Sequence, residues 1–418
     1  MSDAIVSAKV AAPEPLTAYQ RKLFVFLSVA TFFEGYDFMA LSQLLPELRQ
    51  SMRLDETEMG GMVTTINFGT MLAFALVGLA DRWGRKRLLT LTIVGYTLAT
   101  FFTGFAPNLV VFTSLQLLAR MFLIAEWATS MVYAAEEFPA ARRGMVIGVI
   151  QAFSSLGAVL CAGVVPIILR TEYGWRNVYF VGIVPLLILM FARRGLKESS
   201  RFEAEVAARK ERRSFFHIWS TPYRSRVLLL ALVWGLTYVC TNNATTFWKQ
   251  FVVTERGLSD GQAGLAISLA AVVSMPLVFA SGKLLDVIGR KRGAVVIFLT
   301  GALGVLGAYG ARGFGPLTFA LVFAIFGAGA FLPVLNAFTA ELFPTSLRAE
   351  AFAWGNNVLG RIPYVLSPFM IGWSAARIGW GPAVQVTTIG PVLALLVILV
   401  AFPETNAKEL DESSSLGH

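Results

Sequence analysis

The sequence predicts an all-α membrane protein, with twelve transmembrane helices arranged as two pseudo-symmetric six-helix bundles. Three observations carry this reading. Of 418 residues, 56% are hydrophobic and only 15% charged, whereas a soluble chain carries about a quarter charged residues. Apolar runs of about 18 residues or more, long enough to cross a bilayer, recur from end to end. The second half also repeats the first in one register. "DRWGRKR" (81–87) returns as "DVIGRKR" (286–292), and "EEFPAARRG" (136–144) as "ELFPTSLRA" (341–349), both at an offset of 205. Gly174-Trp175 returns as Gly379-Trp380 at 205, and "LDETEMG" (54–60) as "LSDGQAG" (258–264) at 204. Duplicated halves of this kind place a ligand site between them, near mid-membrane.

The spans follow in order. The first, 23–48, carries Glu34 and Asp37 in its middle; the second and third, 59–80 and 88–105, flank the basic loop at 81–87. The fourth, 109–135, contains Arg120 and Glu126, and the fifth and sixth occupy 145–170 and 177–196. Charge then dominates 193–226, which reads as a linker with a short amphipathic helix on the membrane surface. Its polybasic stretch also senses anionic lipid. Six more spans lie at 225–252, 261–283, 294–312, 316–341, 350–376 and 381–402. The domain bounds expected are 1–197 for the first bundle, 198–224 for the linker, and 225–418 for the second bundle and tail.

The net charge of +9 is topological and does not point to nucleic acid. With both termini cytoplasmic, 25 of the 35 Lys and Arg fall on that side, eight on the other and two within spans. This obeys the positive-inside rule. Residues 1–20 hold Asp3, Pro13, Glu14 and Pro15 without an apolar core, so no cleavable signal is expected. Short tails and loops fit a bacterial inner membrane and a monomer. Cys161 and Cys240 lie in spans and read as packing residues. The two histidines, His217 and His418, sit in the linker and at the terminus, so neither a metal site nor a cofactor is expected. No G-x-S-x-G or H-E-x-x-H occurs, which argues against an enzyme.

Five charges lie within roughly 6 Å of mid-depth at 1.5 Å per residue: Glu34, Asp37, Arg120, Glu126 and Arg361. Each costs about 2.5–3.5 kcal/mol at a bilayer centre, so they are read first as functional. A buried structural network is the alternative. Glu34 and Asp37 are three apart and share one side of their helix. Of two such carboxylates out of water, one keeps a proton near neutral pH. On the fourth span Glu126, Thr129, Ser130 and Tyr133 form one stripe; Gln116 and Arg120 form another. Arg120 is therefore expected to face an acid of the first span, not Glu126. Arg361 shares a stripe with Asn357 and Tyr364, and the second half has no acid at mid-depth. Its permanent charge calls for an anion, either a substrate carboxylate gripped by the guanidinium fork or an acid from the first half. Tyr36, Gln151 and the stripe of Tyr238, Thr241, Asn242 and Thr245 add polar lining. Ser154, Ser155, Asn336 and Thr339 do the same, although a lone Ser or Thr more often bonds its own helix backbone. Trp248 and Trp354 could stack on an aromatic ligand or serve as packing.

The loop D-R-x-G-R-K-R and its echo resemble the signature loop of the major facilitator superfamily, and the resemblance covers essentially the whole chain. "ESSRF" (198–202) and "PETNAKELDE" (403–412) resemble motifs of its sugar-porter and metabolite:proton symporter branches. "GYDFMALSQLLPEL" (35–48) resembles the first helix of aromatic-acid and other organic-acid proton symporters. In that family a glycine stands four residues before the loop's Asp. Here Val77 holds that place and Gly78 follows, while the second copy keeps Gly282 four before Asp286. The resemblance implies that helices 1, 4, 7 and 10 line the path. It also implies that the loop charges gate the two states. Asp81 would pair with Arg142 or Arg143 or cap a helix, with Arg85, Asp286 and Arg290 in the same machinery.

The function expected is a proton-coupled symporter of a small organic acid, aromatic acids included. Its partners are that acid, protons and lipid. Asp37, Glu34 and Glu126 are the candidates for carrying the proton. Arg361, Arg120, Tyr36, Asn357, Tyr364, Tyr238, Thr241, Asn242 and Gln151 are the candidates for the substrate. A sugar or polyol symporter and a drug-efflux proton antiporter are the rivals, and the unpaired Arg361 argues against both.

Overall fold

The structure is a computed structural model that describes residues 16–181, 216–344 and 346–405. Helices α1 to α5 span Ala18–Met52, Glu56–Trp83, Arg85–Thr103, Leu109–Glu137 and Ala140–Ile168. Helix α6 begins as Trp175–Val181. The rest of the sixth span and most of the expected linker, including "ESSRF", lie outside the described residues. Helix α7 is Arg224–Thr246, continued past a break at Phe247 by a short helix, Trp248–Thr254. Helices α8, α9 and α10 are Asp260–Ile288, Arg290–Gly310 and Phe314–Glu341. Helix α11 is composite: Arg348–Phe352, a π-helical segment Ala353–Leu359, then Arg361–Ile378. Helix α12 runs through Trp380–Gln385, a 3-10 turn Val386–Thr388, and Ile389–Ala401. Among the described residues no strand occurs, and nine helices are long and apolar enough to cross a membrane.

The repeated sequence blocks have a local physical meaning. Asp55 and Glu58 exchange backbone-to-side-chain hydrogen bonds at the start of α2; Ser259 and Gln262 do the same at the start of α8. Each pair is a capping box that satisfies amides left open by the first turn. A third box, Thr17 with Gln20, starts α1 at Ala18, ahead of its apolar run. Gly84 and Gly289, one in each copy of the basic loop, have φ 93° and 92°, a conformation that side chains disfavour. They make the tight corners between α2 and α3 and between α8 and α9.

Within each half the helices pack side to side: α1 on α5, α2 and α3 on α4, then α8 and α9 on α10, and α7 on α12. The halves meet along α2–α11, α5–α8 and α1 with Trp248–Thr254. A Cβ built at Gly60 would overlap the Pro368 carbonyl oxygen, and one at Gly372 the Glu56 carbonyl oxygen. Here backbone touches backbone. The amide of Phe369 donates to Thr64 Oγ1 at 2.9 Å, and Ser268 Oγ donates to the Val159 carbonyl at 3.4 Å. Lys249, only 1% exposed, donates to the Gln43 carbonyl of α1 at 2.8 Å and pairs with Asp260 at 2.9 Å. All these contacts lie toward the end of the bundle where α1 stops and α2 starts, remote from Thr17 and Thr405.

On the termini side, the second loop copy is fixed inside its own half. Arg290 pairs with Asp286 at 2.6 Å and with Glu341 at 3.0 Å. Glu404, from the "PET" segment, accepts from the Arg290 and Lys291 amides at 2.9 and 3.0 Å, capping α9 where Gly289 offers no side chain. The side chains of Asp81, Arg85 and Arg143 lie outside the described residues, while the Arg142 amide sits in the first turn of α5, donating to the Pro139 carbonyl at 3.0 Å. No described atom lies within 4 Å of a Cβ built at Gly78 or Gly282. Cys161 and Cys240 are free and buried.

Candidate functional site

A cavity of about 240 Å³ lies between the halves. Phe38 and Ser42 from α1, Asn67 from α2 and Arg120 from α4 meet Asn242 from α7 and Tyr364 from α11 across it. Phe38 and Ser42 are four residues apart, so one face of α1 supplies both. Arg120 is buried. Its guanidinium carbon lies 4.5 Å from the Phe38 ring centre, and its Nη1 has no hydrogen-bond partner. Among the described ion pairs none joins Arg120 to an acid of α1. Its charge acts on Glu34 and Asp37 without direct contact.

Arg361 is half-buried. It lies 5.1 Å from the Tyr238 ring centre and 5.0 Å from that of Tyr364, at distances suited to cation–π attraction. The two rings meet edge to face at 5.5 Å. Arg361 Nε has no hydrogen-bond partner, and among the described residues no carboxylate lies within 4.0 Å of it. Tyr238 donates to Asn356 Oδ1 at 2.7 Å, and Asn242 Nδ2 donates to the Tyr364 carbonyl at 3.3 Å. Thr241 donates to the Thr237 carbonyl of its own helix at 3.1 Å. The stripe expected from the sequence paired Arg361 with Asn357. The π-helical segment changes that register, because its bonds run five residues back, as from the Gly360 amide to the Gly355 carbonyl at 3.0 Å. Asn356 thus takes the supporting place.

The acids lie together in the first half. Glu126 is 1% exposed and accepts from Ser130 at 2.7 Å. Glu34 is buried, with Oε2 unpartnered, and feels the charges of Glu126 and Arg120. Asp37 accepts from Thr100 Oγ1 at 3.2 Å and fronts a separate cavity of about 100 Å³ together with Tyr36. Gln151 sits between α4 and α5, accepting from Trp127 Nε1 at 3.4 Å. Trp248 is fully buried and donates to the Ala308 carbonyl at 3.1 Å. Trp354 packs on Phe216 and Trp219. Both tryptophans are thus packing residues here. Asn336 is exposed, and Thr339 donates to its own helix at Leu335 at 2.6 Å. Among the described residues no three His, Cys, Asp or Glu gather as metal ligands would.

The family model described as Major Facilitator Superfamily matches the chain twice, over residues 27–259 and 236–416. The chain belongs to the Major Facilitator Superfamily. It is therefore a multi-pass membrane transporter and not an enzyme. Among its relatives within the superfamily, a Bacillus subtilis protein named for niacin and nicotinamide transport is 25% identical over 94% of this chain and 98% of its own length. A Cupriavidus pinatubonensis protein named for 4-methylmuconolactone transport is 29% identical over 78% of this chain and 77% of its own. Among solved structures, the inward-open xylose transporter XylE of E. coli superposes with a TM-score of 0.77 at 18% identity, covering 96% of this chain and 100% of that one. That likeness concerns the fold, which is the twelve-helix, two-bundle plan of the superfamily.

Reading the sequence missed Asn67, Tyr96, Thr100 and Asn356. A hydroxyl or amide inside an apolar run carries no mark of the helix it will face. Asn67 had the best signal, since an amide at the centre of a span needs a partner or a cavity.

Proposed function

We propose that this transporter is a proton-coupled symporter importing a small organic anion, a carboxylate with aromatic acids in its range, by alternating access. One observation carries the reading: Arg361 is a permanent cation framed by two tyrosine rings, with no carboxylate within 4.0 Å of it among the described residues. A carboxylate supplies the missing charge, and its second oxygen meets the other arm of the guanidinium fork. An aromatic ring attached to it would lie among Tyr364, Phe38 and Met39. Arg120, with its unpartnered Nη1, attracts the same anion from the first half. Tyr238 and Asn242 hold the frame. Asp37 takes the proton, with Glu34 and Glu126 coupled to it through the field of Arg120. Niacin is a pyridine carboxylate, so the name of the Bacillus relative points the same way.

The moving bodies are residues 1–197 and 225–418, joined by 198–224, with both termini cytoplasmic in a bacterial inner membrane. Because the halves touch on the side remote from the termini, the present state is the one facing inward. The Asp286–Arg290–Glu341 cluster, and Asp81, Arg85, Arg142 and Arg143 in the other half, belong to the opposite closure. The proton gradient and potential drive uptake, at about 2.3 kcal/mol per charge per 100 mV.

The test is thermal stabilisation of the purified protein by niacin and by xylose. Niacin is expected to raise the melting temperature of the wild type and to lose that effect in Arg361→Ala and Arg361→Lys, since lysine lacks the fork. Equal stabilisation of all three proteins would refute the role given to Arg361. Stabilisation by xylose alone would favour the sugar-porter reading, which rests on the "ESSRF" and "PET" motifs.

A further inference from the structure

Helix α1 has two polar faces. Phe38 and Ser42 look into the central cavity. Phe33, Tyr36 and Asp37 look into the smaller chamber, which is also lined by Tyr96 and Thr100 of α3, Leu160 and Val164 of α5 and Val181 of α6. Its volume of about 100 Å³ holds about three water molecules at roughly 30 Å³ each. Tyr36 and Tyr96 are 7% and 4% exposed, and among the described residues neither hydroxyl has a hydrogen-bond partner. Thr97, next to Tyr96, spends its own hydroxyl on the Ile93 carbonyl at 2.8 Å. A buried hydroxyl left unpartnered is destabilising. Two of them at one chamber beside a carboxylate are polar groups that water there would satisfy, although Phe33, Leu160, Val164 and Val181 make the rest of its lining apolar. Among the described residues Asp37 takes one hydrogen bond, that of Thr100, which leaves most of its lone pairs for that water.

We propose that this chamber is a hydrated proton site. Water links Asp37 to Tyr36 and Tyr96, Thr100 holds the carboxylate toward that water, and the proton is loaded on the face of α1 opposite the substrate. The step is a plain transfer: an O–H bond of hydronium breaks, the Asp37 O–H bond forms, and water and a neutral carboxyl remain. The proposal rests on the proton-coupled reading above in its choice of Asp37, and moves Tyr36 from the substrate to the proton. The charged and titratable groups around Asp37 are Glu34 and Tyr36 on α1, Tyr96 on α3, Arg120 and Glu126 on α4, Cys161 on α5 and Tyr179 on α6. Arg120 is the one cation among them. Sodium is the competing occupant. It would have one carboxylate and three hydroxyls for ligands, since helical carbonyls are already engaged.

The experiment is an infrared pH titration of the protonated-carboxyl band, on the full-length protein in lipid nanodiscs, in light and heavy water, with sodium or choline as the cation. Asp37→Asn should remove one titrating band. Thr100→Val should move the midpoint of that band to more alkaline pH by about one unit, tenfold in proton affinity, because the charged form loses a donor. Thr100→Ser should restore it. The Tyr36→Phe/Tyr96→Phe pair should shift the midpoint likewise and slow hydrogen–deuterium exchange of the band. An unchanged midpoint in both variants, no band lost in Asp37→Asn, or displacement of the protonated band by sodium would each overturn the proposal. No substrate enters the measurement. Niacin stabilisation, read separately, tests Arg361, so failure of one reading is distinct from failure of the other.

Discussion

Arg361 meets two tyrosine rings because α11 is not an α-helix just before it. The π-helical turn stores one extra residue and brings Asn356 under the Tyr238 hydroxyl. Asn356→Ala removes an acceptor worth about 1 kcal/mol and lets Tyr238 swing away from the guanidinium. On the proposed function, the half-saturation constant for uptake of the organic anion should rise about fivefold, with a smaller change for Asn357→Ala; equal effects would mean the frame does not depend on this bond. The sequence allowed the opposite choice, since a stripe drawn at 3.6 residues per turn passes through Asn357. The deep charges themselves were legible, because an ionisable residue in an apolar run is rare. Their neighbours across the interface were not. That Thr100 bonds Asp37, and that Arg120 lies over Phe38, depends on helix rotation, which no single span encodes.

Helix starts were legible where polar residues make them. The Asp55–Glu58 and Ser259–Gln262 boxes explain why a repeated block sits at the head of α2 and of α8. The break in α7 was not legible, since neither proline nor glycine stands at Phe247. That residue has φ −97° and ψ 0°, and its ring stacks on Trp380 at 4.5 Å, so tertiary packing imposes the bend. The bend turns Lys249 inward, near the end of the span expected at 225–252. Its partner Asp260 keeps 43% of its side chain exposed, while Lys249 keeps 1%. The two partners are therefore unequal. Asp260→Asn strands a buried cation and should cost about 2 kcal/mol, while Lys249→Met leaves a solvated carboxylate and should cost less. Melting temperatures in detergent would rank the two variants, and the reverse order would contradict this account of the pair.

At the scale of the molecule, the duplication could be read directly from the chain, and with it the two bundles and the cavity between them. Which of the two states of the proposed alternating-access cycle the chain adopts could not, since both would use one sequence and differ only by how the halves rock. The Gly60–Gly372 contact gives that choice a handle. A side chain at either position cannot be admitted while the remote side is shut. Gly60→Val or Gly372→Val should therefore hold the transporter open on that side. A cysteine placed at Asn67 should then react several-fold faster with a membrane-impermeant thiol reagent added from outside than it does in the wild-type background. An unchanged rate would show that closure tolerates the added bulk.

The same contact also sets how firmly the remote side stays shut. Lipid tails give no hydrophobic reason for helices to cling, so close packing of main chain on main chain holds the seam. Such a seam unzips without any rotamer having to be re-threaded. A few polar stitches, Lys249 foremost, add to it, and water can replace them as soon as the edges part. On the proposed alternating-access cycle, a joint that opens once in every turnover is better made exact in shape than strong.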